Sequence, residues 1–271
     1  MTRVITITSG KGGVGKTTTT ANLGTALAKL GKRVVVIDTD IGLRNLDVVM
    51  GLQNRIIYDV VDLVEGRCRL RQALIRDRTL DELYLLPAAQ SRDKSAVSPA
   101  DMMRVIAQLR GDCDVVLIDS PAGIEAGFRN AVAPADEFVL VTTPDVSAVQ
   151  DVDRVLGILE AEGRGETRLV INRIRPELVR RSEMMGPDEI LDRLNVRLLG
   201  LVPDNEDVLV SNSKGTPIAN DARSLAGRAY HNMARRLMGE DVSYLPVLVR
   251  RKSIWERIGL RKRSARSGAG G

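Results

Sequence analysis

The chain has 271 residues, of which 44% are apolar and 28% charged, enough for one large α/β domain with a well-buried core. Aromatics make up only 3%, so the core must be built from Val, Ile, Leu and Ala, which suits a parallel sheet buried on both faces. The net charge of +5 is local: the stretch from Arg250 to Arg266 carries eight basic residues and one acid, hence +7, and +5 minus +7 leaves −2 for the rest, which argues against a nucleic-acid-coating surface on the folded body.

The first element is a short β-branched strand, Arg3–Thr8, that runs directly into a glycine-rich loop. This start has no cleavage site and does not read as a signal peptide, and no apolar run approaches the ~20 residues that span a bilayer. Gly10-Lys11-Gly12-Gly13-Val14-Gly15-Lys16-Thr17 matches G-x-x-x-x-G-K-[ST] in full. The residue types follow from the chemistry. Glycines let backbone N–H groups converge on phosphate oxygens, and the helix that follows presents its positive end to the anion. Lys16 is expected to reach the β- and γ-phosphates of ATP, and the Thr17 hydroxyl to ligate Mg²⁺. Residues Gly10 through Thr18 are the expected phosphate-binding set. Lys11 is a second lysine in a loop that needs one. It reads either as a solvated loop-edge residue or as a charge that stabilises a neighbouring molecule's phosphates, as an arginine finger does.

An alanine-rich helix is predicted from about Lys16 to Leu30, ended by Gly31. The apolar run Val34–Ile37 then leads into Asp38 and Asp40, and Val115–Ile118 leads into Asp119. If these strands are parallel neighbours, all three carboxylates fall beside the phosphate loop, because ligands bind beyond the C-terminal strand ends of open α/β sheets. An apolar strand ending in Asp is the pattern that helps hold Mg²⁺. Asp38 could instead be a structural cap. Further strands are predicted at Leu83–Leu86, Phe138–Thr142, Leu169–Asn172 and Leu198–Val202, with helices at Val146–Glu162 and Arg223–Met238. Alternation of strands and helices predicts a doubly wound, mostly parallel α/β sheet with helices on both faces, a P-loop NTPase fold.

One ATPase domain is expected over residues 1–239, a linker over 240–247, an amphipathic segment over 248–263 and a flexible tail over 264–271. In the third of these, Ile254, Trp255 and Ile258 share one helix face, with Leu260 nearby and basic residues flanking it. Tryptophan favours the membrane interface and Lys/Arg favour anionic headgroups. Gly259 departs from an ideal helix. A disordered basic tail is the other reading. The two cysteines, Cys68 and Cys113, fit neither a disulfide framework nor a zinc site, and the single histidine, His231, excludes histidine triads and multi-histidine metal sites. Cys113 reads as a packing residue, His231 as an ordinary packing or surface residue, and the compartment as reducing.

The loop KGGVGKTT, with Lys11 in place, resembles the deviant Walker A loop of the MinD/ParA ATPase family, and the resemblance extends over nearly the whole chain. It implies that Lys11 acts across a nucleotide-sandwich homodimer, that Asp40 orients the attacking water, and that Asp119 supports the metal, with Asp38 acting through the metal's water shell. Asn172 and Arg173 fall in the segment that resembles the family's adenine-recognising strand end, where an Asn amide can pair with N6 and N1 or N7. Pro203 and Asp204 fall in the loop that closes over the base. The basic tail resembles the membrane-targeting helix of the family's membrane-cycling members, with ATP, dimer and membrane linked in one switch. Localisation is then cytoplasmic and peripheral on the inner face of the cell membrane. The resemblance further implies a division inhibitor of the MinC type as partner, a MinE-type regulator of hydrolysis, and a partner-facing role for Asp151, Asp153 and nearby Glu125, although acids in a first helical turn are often only dipole compensation. A ParA-like partition ATPase that binds DNA and a flagellar-number relative stay open as alternatives. A cluster-assembly relative does not fit the positions of Cys68 and Cys113.

Overall fold

A computed structural model describes residues 1–245, with Lys94 by its backbone only. Its strands are β1 (Arg3–Thr8), β2 (Val34–Asp38), β3 (Ile75–Arg76), β4 (Leu83–Leu86), β5 (Val115–Asp119), β6 (Glu137–Thr142), β7 (Thr167–Ile174) and β8 (Arg197–Pro203). They form one sheet in the order β3-β4-β2-β5-β1-β6-β7-β8. Every pairing is parallel except that of the two-residue edge strand β3 with β4. The helices are α1 (Lys16–Lys29), α2 (Leu46–Val49), α3 (Val60–Val64), α4 (Leu70–Ala73), α5 (Pro99–Leu109), α6 (Ala126–Val132), α7 (Val146–Ala161), α8 (Pro176–Arg180), α9 (Pro187–Leu194), α10 (Glu206–Ser213) and α11 (Leu225–Leu237). The predicted α/β class and the predicted strands are all present, with ends displaced by a residue or two.

Side-chain alternation divides the sheet between two apolar layers. Ile5, Ile7, Val34, Val36, Val115 and Leu117 face the side covered by α1 and α11, where Leu23, Leu27, Tyr230 and Met233 meet them. Val4, Val35, Ile37, Val116 and Ile118 face the other side and pack on Met102, Val105 and Ile106 of α5. Farther along that side, Phe138, Leu140, Leu169 and Ile171 pack on α7. β2 and β5 are buried along their whole length, which is why their sequences are unbroken apolar runs rather than alternating ones. No helix among the described residues is long and apolar enough to cross a membrane.

Several helices begin on a side-chain cap. Ser98 and Asp101 form a capping box at α5, with Pro99 in the first turn, and Asp145 accepts from the Ala148 N–H at 3.0 Å at α7. α1 begins differently, on Gly15 in a left-handed conformation with no side-chain cap, so its first N–H groups stay available at the loop.

The described part of the expected linker, up to Leu245, is anchored to the edge of the domain. Arg236 donates to the carbonyls of Val242 at 2.8 Å, Ser243 at 2.9 Å and Leu199 at 2.8 Å. Tyr244 donates to Leu198 O at 2.8 Å, and its ring lies 4.1 Å from the Arg236 guanidinium. The predicted membrane-binding residues Ile254, Trp255, Ile258 and Leu260 lie outside the described residues.

Candidate functional site

The phosphate loop joins β1, near the centre of the sheet, to α1, and two of its glycines are dictated by contact. A Cβ on Gly10 would sit 2.3 Å from the Asp151 carbonyl oxygen, and one on Gly15, at φ 101°, would sit 2.3 Å from Asn172 Nδ2. The loop is thus wedged between α7 and the end of β7. Lys16 is the first residue of α1, 7% exposed, and its Nζ donates to Ser9 Oγ at 3.1 Å. Burial pulls its ammonium below the ordinary lysine value, and the carboxylates of Asp119 and Asp40 oppose that pull. Ser9 carries no motif of its own, and only the structure reveals it as a lysine support.

Asp38 and Asp119 end adjacent parallel strands in direct register, beside the loop as the sequence predicts. Both are buried. Asp38 Oδ1 accepts from the Asp40 N–H at 2.9 Å, and Oδ2 from the Asn45 and Leu46 N–H groups at 3.2 Å each. Burial, and then the charge of Asp119, raise its carboxyl above the usual range, against those backbone bonds. Burial also raises Asp119, opposed by the hydroxyl of Thr17, the charge of Lys16 and the hydroxyl of Thr20, which donates at 3.1 Å. Among the described residues no three His, Cys, Asp or Glu side chains converge as a metal cage. A hydroxyl and two carboxylates in an electrostatically strained, oxygen-rich corner do fit Mg²⁺, which keeps several of its own waters. Both Asp38 oxygens already hold backbone N–H groups, which suits a place in the water shell rather than direct ligation.

Lys11 is exposed and engaged by the start of α7. Its Nζ donates to Ser147 Oγ at 2.8 Å and lies 3.8 Å from Asp145 Oδ1. Burial alone would raise the Asp145 carboxyl, but bonds from Thr143, Ala148 and Ser147, together with the Lys11 charge, hold it below its usual value. Asp151 and Asp153 follow on the same helix. Asp151 pairs with Arg154 at 3.6 Å while its backbone supports Gly10. Asp153 and Glu125, the residue before α6, are exposed.

Asn172, Arg173, Pro203 and Asp204 line a cavity of about 260 Å³ together with Gly15 and Thr18. The β7–β8 register shifts beyond Ile171, and Arg173 takes a positive φ of 57°. A shift of this kind re-aims a side chain, and it turns Asn172 into the loop. Both ends of the Asn172 amide are engaged by backbone. Nδ2 donates to Val14 O at 2.8 Å, and Oδ1 accepts from the Arg173 N–H at 2.9 Å. Each end keeps capacity for one further bond, a second Nδ2 hydrogen and a second Oδ1 lone pair. Asn212, on α10, also lines the cavity and has no motif that marks it.

Residues 5–218 match the CobQ/CobB/MinD/ParA nucleotide binding domain family. The chain is 57% identical over 244 residues to the septum site-determining protein MinD of Bacillus subtilis, covering 89% of this chain and 91% of that one. It is similar to a chain of the MinC:MinD cell division protein complex of Aquifex aeolicus, with TM-score 0.83, 44% identity, and coverage of 89% and 97%. It is also similar to the septum site-determining protein MinD of Pyrococcus horikoshii complexed with Mg-ADP, with TM-score 0.80, 30% identity, and coverage of 88% and 96%.

Proposed function

The chain belongs to the CobQ/CobB/MinD/ParA nucleotide-binding family and, within it, to the septum site-determining MinD proteins, and from that membership we propose that it is a Mg²⁺-dependent ATPase that dimerises on ATP, settles on the inner membrane surface and recruits a division inhibitor. The observation that carries this reading is the position of Lys16: buried at the uncapped start of α1, between Ser9 and the carboxylates of Asp119 and Asp40.

In this account the loop N–H groups and Lys16 hold the β- and γ-phosphates. Thr17 and Asp119 would hold Mg²⁺, with Asp38 acting through its water shell, and the ion would supply charge compensation at the phosphates. Asp40 orients the attacking water. Lys11 leaves Ser147 and Asp145 to reach the phosphates of a second copy, where it stabilises developing charge. Because the Lys11 rearrangement requires two copies, hydrolysis is tied to assembly.

Each 248–263 tail binds an anionic bilayer weakly, and a dimer carrying two of them gains avidity by ~10²–10⁴. ATP thereby controls membrane residence. A MinC-type inhibitor is the proposed partner, on the ground that a relative 44% identical forms such a complex, with Asp151, Asp153 and Glu125 on the face offered to it. A MinE-type regulator is proposed to accelerate hydrolysis.

Sedimentation with anionic phospholipid vesicles tests the reading. Binding should require Mg·ATP, Lys16 and the Ile254/Trp255/Ile258 strip. Equal binding by a chain cut after Pro246 would contradict the membrane role.

A further inference from the structure

We propose that Thr20 is a positioning residue for the metal corner: its hydroxyl anchors the Asp119 carboxylate and thereby sets how strongly nucleotide binding gains from Mg²⁺. The inference rests on the nucleotide and Mg²⁺ reading of the site and adds a residue to it.

Thr20 lies in α1, one turn beyond Lys16, and is fully buried. Its Oγ1 is 3.1 Å from the Lys16 carbonyl oxygen and 3.1 Å from Asp119 Oδ1. The first contact is an ordinary one for a threonine inside a helix and carries no function by itself. The second crosses from α1 to the end of β5 and joins residues 99 apart in sequence. A hydroxyl has one proton to give. A charged carboxylate draws it with about twice the strength of a carbonyl, so the ionised Asp119 is the acceptor that wins it.

Three groups offset the cost of burying the Asp119 charge: the Thr17 hydroxyl, the Lys16 ammonium and the Thr20 hydroxyl. The first two have duties to the ligand, Thr17 to the ion and Lys16 to the phosphates. Thr20 has no accessible surface and meets no ligand, so it is the support that stays on Asp119 whatever the loop holds. The terminal torsion of an aspartate is soft, and a bond at one oxygen restrains the plane of the carboxylate. Partners of this kind tune a metal site from outside its ligand shell. Without the hydroxyl, the buried carboxylate loses a donor and is left to Thr17 and the pull of the Lys16 ammonium.

The test is equilibrium binding of a fluorescent ADP analogue to the full chain, with Mg²⁺ and with EDTA, read as the ratio of the two affinities. ADP keeps turnover out of the measurement. By linkage, the ratio reports how much tighter the ion binds to the protein–nucleotide complex than to free nucleotide. Thr20→Val removes the hydroxyl at nearly unchanged volume and should lower the ratio about tenfold or more, with the affinity in EDTA within about threefold of wild type. Thr20→Ser keeps the hydroxyl and should hold the ratio within about threefold of wild type. Circular dichroism and the unfolding midpoint establish that each variant is folded, and Thr20→Ala carries the same prediction if Thr20→Val does not fold. A wild-type ratio in a folded variant without the hydroxyl overturns the proposal. So does a Thr20→Ser ratio as low as that of Thr20→Val, which would assign the effect to packing. Wild-type binding that gains nothing from Mg²⁺ overturns the Mg²⁺ reading itself, which separates the two failures.

Discussion

Asp38 and Asp119 stand opposite one another in register on β2 and β5, each about 1% exposed, with both carboxyls raised by burial and Asp38 raised further by its neighbour's charge. A carboxyl that holds its proton more tightly when folded than when unfolded makes the folded chain the better proton binder. The stability it confers is then greatest at low pH and declines as pH rises from the ordinary carboxylate range toward neutrality. Ligand-free protein should accordingly be less stable to urea at pH 7.5 than at pH 5.5, by roughly 1–3 kcal/mol. Asp119→Asn should flatten that dependence and raise ligand-free stability at pH 7.5, while weakening Mg·ATP binding. An unchanged slope in Asp119→Asn would show that the pair is not its source.

Lys11 and Asp40 should separate binding from chemistry. Lys11→Ala removes an ammonium that is held by Ser147 and Asp145 among the described residues, so nucleotide affinity should stay within about threefold while turnover falls by ~10²-fold or more. Asp40→Ala should also bind ATP, and should stay assembled because its hydrolysis drops on the order of 10²-fold. Nucleotide titration beside a phosphate-release assay measures both effects. Normal turnover in Lys11→Ala would remove this residue from the catalytic account.

Gly15 carries a backbone prediction. An added methyl meets both the left-handed φ of 101° and Asn172 Nδ2 at 2.3 Å, so Gly15→Ala should cost about 2 kcal/mol or more in stability and abolish tight ATP binding. Gly157→Ala, where the added Cβ meets nothing within 4 Å beyond its chain neighbours and its own helix backbone, serves as the control and should be neutral or slightly stabilising.

The cysteines should differ in reactivity. Cys113 is buried, donates to Leu109 O at 3.5 Å, and burial pushes its thiol up to about 11. Cys68 is only partly buried, although burial and the nearby Asp62 and Asp59 raise it as well. A thiol reagent at pH 8 should label Cys68 slowly in the native protein and Cys113 only after denaturation. Labelling of Cys113 at the rate of Cys68 would contradict its place in the core.

The parts of the fold legible in the sequence are those where one force acts alone. Val34–Ile37 and Val115–Ile118 are buried on both faces, so their unbroken apolar runs read as central strands. Gly10–Thr17 reads as a phosphate loop because steric access and charge demand those residues in that order. β3 was not legible, since Ile75 and Arg76 are too few to show a period, and the helices α2 to α4 and α8, of four or five residues each, are too short to display an apolar stripe. The bulge at Asn172 also escaped, because its positive φ falls on Arg173, an arginine, where no glycine marks the turn. Thr20 and Asn212 escaped for a different reason: each reaches the site through a long-range hydrogen bond, and such bonds leave no spacing pattern, while Ser9, bonded to Lys16 across the loop, lies just before the motif.

Whether triphosphate in this loop joins two copies is decided most directly by the mass of the purified protein in solution, measured by light scattering on a sizing column with Mg·ATP and with Mg·ADP, using Asp40→Ala to suppress turnover. The account predicts twice the 29.6 kDa of one chain with ATP and a single chain with ADP. A single-chain mass under both nucleotides, at concentrations that saturate the site, would contradict it.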